Sequence, residues 1–121
     1  MVDRWHIALA LKREAVELFN SMFARENKKT QKALQDIRKA WNGYARDGAE
    51  LRLDYYTTWD EDSLMVKFLN KFFYQAKKDS YLFIRVAENC SSDFYEIRGE
   101  WKKNPFELKI QRGYSLSYHA V

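Results

Sequence analysis

Trp5-His6-Ile7-Ala8-Leu9-Ala10-Leu11, running directly into Lys12-Arg13-Glu14, is the stretch on which the reading of the fold turns. Ala8 and Leu11 continue into Ala15, Leu18, Phe19 and Met22 at intervals of three and four, the spacing of one helical face. Lys12, Arg13, Glu14 and Glu17 fall away from that stripe. The stretch is therefore expected to open a first helix. Its apolar part is about seven residues, too short for an export signal and far short of the roughly twenty residues that span a membrane. A soluble, cytoplasmic protein with no membrane contact is expected.

Working outward, Glu26-Asn27-Lys28-Lys29 interrupts the pattern, and Thr30 offers a hydroxyl that can cap a second helix. Leu34, Ile37, Trp41 and Tyr44 form its apolar stripe, and Asp47-Gly48 ends it. Residues 1–48 thus read as a helical hairpin. The period then changes to two. Leu51, Leu53, Tyr55 and Thr57 alternate with Arg52, Asp54, Tyr56 and Thr58, as in a half-buried strand. Thr58 and Glu61 have capping-box spacing, and Met65, Phe68, Leu69, Phe72 and Ala76 make a third helical stripe, with Lys77 and Lys78 in its last turn. Strands follow at Tyr81 to Val86, Asp93 to Trp101 and Phe106 to Ile110, with short links that imply hairpins, and Tyr114 to His119 extends the last of them.

The fold expected is α+β: the helical hairpin plus a β-α-β-β-β unit over residues 49–121, in one domain spanning 1–121. A right-handed crossover joins the first two strands, and a four-stranded, mostly antiparallel sheet carries helices on one face.

Composition agrees with a compact domain. Of 121 residues, 46% are hydrophobic and 31% charged, with only four Gly and one Pro, which excludes disordered and collagen-like chains. Cys90 stands alone, so no disulfide framework can form within the chain; it reads as an inert thiol. The net charge is +4, and between residues 25 and 46 seven basic residues stand against two acidic ones.

Motifs for chemistry are sparse. His6 and His119 lie near opposite ends of the sequence, and the glycines at 43, 48, 99 and 113 are too scattered for a phosphate loop. Asp60-Glu61-Asp62 is the one acidic cluster; its carboxylates suit a hard cation, but a helix start explains it better. No cofactor, no metal and no enzymatic activity are expected.

Two surfaces are candidates for binding. Arg25, Lys28, Lys29, Lys32, Lys39 and Arg46 bracket the second helix, with Lys32 and Lys39 seven apart. Such a stripe attracts phosphates or an acidic protein surface. If Leu82, Ile84 and Val86 point inward, Tyr81, Phe83 and Arg85 point outward, together with Phe94, Glu96, Arg98 and, on the first strand, Arg52, Asp54 and Tyr56. Aromatic and arginine side chains supply many interface hot spots, and the interleaved acids favour a protein partner over a polyanion. The expected function is a non-enzymatic binding protein, an inhibitor or adaptor docking on a larger intracellular protein or nucleoprotein complex, with Arg85 and Arg98 as anchors. The alternative is a nucleic-acid-binding module that uses the basic helix and an aromatic sheet face. In size, basicity and aromatic content the chain resembles the small proteins of phages and mobile elements that bind and block a host machine.

Overall fold

The structure is a computed structural model and describes residues 4–39, 41–45, 48–52, 57–88, 95–104, 109–111 and 115–117; between 41 and 58 and beyond 104 the description is of strand backbone. The order of elements is β1 (Arg4–Lys12), α1 (Arg13–Arg25), α2 (Lys28–Ala33), α3 (Gln35–Lys39), β2 (Trp41–Ala45), β3 (Gly48–Arg52), β4 (Thr57–Thr58), α4 (Leu64–Gln75), β5 (Tyr81–Glu88), β6 (Tyr95–Gly99), β7 (Lys109–Gln111) and β8 (Ser115–Ser117).

The expected helical hairpin is absent, because the opening stretch is a strand. β1 lies inside the sheet, paired antiparallel to β5 along Arg4–Leu11 and, on its other side, to β3 and β4. Its side chains bury on both faces. Ile7, Leu9 and Leu11 enter the core beneath the helices, while Ala8 and Ala10 join Leu82, Ile84, Val86 and Trp101 on the opposite face. A strand covered on both sides reads as a continuous apolar run, and such a run fits a helical template as easily as an extended one. The helix begins only at Arg13, where Ala15, Val16, Phe19 and Met22 supply its buried stripe.

The expected second helix is also divided. Asn27, not Thr30, caps α2: the Asn27 side chain accepts a 2.8 Å hydrogen bond from the Thr30 amide. Leu34 separates α2 from α3, and Trp41 and Tyr44 belong to β2. Leu34 and Ile37 are buried, as their spacing predicts.

The expected four-stranded sheet is a larger, antiparallel one. Its order is β2-β3-β1-β5-β6, with β4 also on β1 and β1, β5 and β6 as an antiparallel three-stranded part ending at β6; β7 and β8 form a separate two-stranded sheet. β4 and β5 are both antiparallel to β1, so they run parallel to each other with β1 between them. The mixed α+β class stands. Residues 53–56, 93–94, 106–108, 114 and 118–119, which the sequence assigns to strands, lie outside the described residues.

The helices pack over Ile7, Leu9, Leu11, Tyr81 and Phe83. Phe19, Phe68, Phe72 and Phe83 are almost fully buried there, each worth about 1.5–3 kcal/mol of burial. Phe19 meets Phe68 and Phe72 edge-on, at centroid separations of 5.1 and 5.5 Å, and Tyr81 stacks on Phe73 at 5.3 Å. Much of the high aromatic content is therefore core. No helix among the described residues is long and apolar enough to cross a membrane.

Candidate functional site

The outward-facing sheet residues are placed differently from their expectation. Tyr81 and Phe83 point into the helix-side core and are buried, because β5 is an inner strand with an apolar layer on each face. Tyr56 and Phe94 lie outside the described residues. Arg85 follows Tyr81 and Phe83 onto the helix side, where the layer thins. Its guanidinium sits 4.0 Å from the Trp5 ring centre and 4.6 Å from that of Trp59, between two indoles. Its Nε donates to Glu96 Oε1 at 2.6 Å, from the residue directly opposite on β6. Arg98 Nε donates to the other carboxylate oxygen at 3.1 Å, and its guanidinium lies 5.4 Å from the Phe73 ring centre.

Glu96 therefore serves two cations at once. Burial pushes its carboxyl up, but the hydrogen bonds from Arg85 and Arg98, and their charges, outweigh burial and hold it below the usual carboxylate range. Arg85, with 15% of its side chain exposed, is engaged by these contacts; Arg98, at 37%, keeps a free side toward solvent. Arg85 and Glu96 form a charge pair across the two strands. Nearby, burial raises the Tyr81 hydroxyl above its ordinary value, Arg98 partly opposing this and Glu100 adding to it.

The basic residues expected along one helix are spread over α1, α2 and α3. Arg25, Lys28, Lys29, Lys32 and Lys39 are all exposed. Within α2, Lys28 and Lys32 are four apart and Lys29 and Lys32 three apart, so these three share one face. The break at Leu34 puts Lys39 on a separate short helix, so the seven-residue spacing from Lys32 does not align the two along one axis. Among the described residues none of the five is in an ion pair. Glu26, next to Arg25 in the chain, is paired with Lys71 of α4 at 2.8 Å. Arg46 lies outside the described residues.

A third surface was not singled out from the sequence. Tyr74, Tyr95 and Ile97 are the exposed large hydrophobic side chains of the described residues, at 91%, 48% and 45% exposure. Tyr74 and Ile97 line one open groove of about 710 Å³ between the end of α4 and β6, with Phe73 and Arg98 also on its walls. Tyr74 was within reach of sequence reasoning: two residues past Phe72, it falls on the far side of α4 from the buried stripe. The partners of Arg85 were not. Trp5 and Trp59 come from segments 54 residues apart, and only pairing of β1 with β4 and β5 brings them together.

The acidic cluster forms a turn ahead of α4. Asp60 Oδ1 accepts from the Asp62 amide at 2.9 Å, and Glu61 accepts from the Trp59 indole at 2.6 Å and from Asn70 at 3.1 Å. Among the described residues no group of three or more His, Cys, Asp or Glu gathers as a metal site. His6 lies on β1 rather than on a helix, and Cys90 and His119 lie outside the described residues. No protein-family model, curated protein or solved structure matches the chain.

Proposed function

We propose that this chain is a cytoplasmic, non-enzymatic binding protein, an inhibitor or adaptor that docks through the basic face of α2 and its flanks onto an acidic surface of a larger protein complex. One observation carries the reading: Lys28, Lys29 and Lys32 are exposed on one face of α2, with Arg25 and Lys39 exposed before and after it in the chain, while Glu26 is paired with Lys71. Such a face raises the encounter rate with an acidic partner and fixes its orientation.

The burial of Tyr81 and Phe83 supports a protein partner over single-stranded nucleic acid, because base stacking needs rings displayed beside the cations. The test is capture from nuclease-treated lysate with the wild-type chain and with the triple variant Lys28→Glu, Lys29→Glu, Lys32→Glu. A partner held by the first and lost by the second, at least tenfold, is the expected result. Capture indifferent to charge reversal removes the basic face from the mechanism. Tight binding of duplex DNA or RNA at low salt, falling steeply as salt rises, replaces the protein partner with a phosphate backbone.

A further inference from the structure

We infer that β6 is a self-complementary edge, through which two copies of the chain pair antiparallel about a twofold axis at Ile97. β6 ends the strand order of the main sheet, and among the described residues no strand pairs with its outer side. An open edge of this kind offers a row of backbone donors and acceptors to another strand.

The sequence Tyr95-Glu96-Ile97-Arg98-Gly99 decides what fits. In a register centred on Ile97, Glu96 of each copy faces the partner's Arg98, and Arg98 faces the partner's Glu96. Opposite charges directly across a strand pair attract, and the twofold axis makes the contact occur twice. Glu96 already accepts from Arg85 and Arg98, one bond to each oxygen, and a carboxylate has lone pairs for a further donor. At the axis Ile97 meets its own copy, and the paired segment ends at Gly99, whose positive φ interrupts the extended backbone. The strand holds no Pro and no Lys to block approach, and its Glu and Arg cancel.

The surroundings agree. Ile97 and Tyr74 leave large apolar surface exposed at this edge, and the groove between them lies beside β6. A second strand about 4.8 Å from β6 would lie alongside that groove. The pairing stands independently of the basic face; if both hold, each assembly presents two basic faces.

Sedimentation equilibrium across the micromolar range tests the pairing. The expected mass is twice 14.6 kDa, falling to that of one chain in Ile97→Lys, which places two like charges at the axis, with the circular dichroism spectrum unchanged. Ile97→Cys in a Cys90→Ser background is expected to crosslink to itself under mild oxidation, since opposed residues across antiparallel strands are about 4.5–5.5 Å apart at Cα. Lys102→Cys in the same background is expected not to. A single-chain mass at every concentration, a dimer indifferent to Ile97→Lys, or equal crosslinking at positions 97 and 102 overturns the inference.

Discussion

Gly99 shows how one residue without a side chain shapes an edge. Its φ is +87°, a conformation that L side chains rarely adopt. The ladder pairs Gly99 with Leu82, yet the Trp101 amide donates to Tyr81, so two steps on β6 answer one step on β5. The extra residue makes a bulge, and Trp101 beyond it packs on the face of Ala8 and Ala10. A Cβ on residue 99 would press against the Tyr81 carbonyl oxygen, which is backbone and cannot swing aside. Gly99→Ala is expected to cost about 2–4 kcal/mol, from the unfavourable φ and the clash together. Urea unfolding with an unchanged slope and a lowered midpoint measures it. Only the alternation of Tyr95, Ile97, Gly99 and Trp101 on one side was legible in the sequence; the bulge depends on where Tyr81 lies, which no local pattern records.

Helix starts separate what was legible from what was not. α4 was found by its stripe of Phe68, Leu69, Phe72 and Ala76, all buried. Its cap was misplaced, because Thr58 and Glu61 have capping-box spacing and Ser63 stands five residues later. The structure assigns Thr58 to β4 and starts the helix at Ser63, whose hydroxyl accepts from the Val66 amide at 3.2 Å and donates to the Asp60 carbonyl at 2.8 Å. Pairing of Thr58 with Arg4 wins over a local cap. Ser63→Ala should therefore lower stability by about 1 kcal/mol, and Ser63→Asp should recover most of it, because either oxygen can accept the free amide. Thermal melts of the three chains check the order. β1 failed for a related reason. Its alternation exists, but both phases are apolar, Ile7, Leu9 and Leu11 against Ala8 and Ala10, so period two leaves no trace in polarity.

Across the whole molecule, the same double burial explains the fate of the candidate sites. The basic face was legible because charge on a short helix needs no partner to be read. The sheet face was not, because Leu82, Ile84 and Val86 and Tyr81 and Phe83 are all interior, leaving no solvent side at β5. What joins the layers at their margin is Glu96, and it ties stability to acidity. Its folded-state carboxyl lies below the ordinary value of 4.5, so its contribution is present in full above that value and is lost as pH falls through the lower folded one. The urea midpoint is expected to drop on acidification below about pH 4.5, less steeply in Glu96→Gln than in the wild type, and that variant is expected to be the weaker at neutral pH. The central place of β1 has one last consequence, which concerns time. The strand is synthesised before the partners that cover it, at residues 48–52 and 81–88. Until then a flat, sticky ribbon waits without neighbours, and the nascent chain at that stage is open to capture by chaperones or to misassembly.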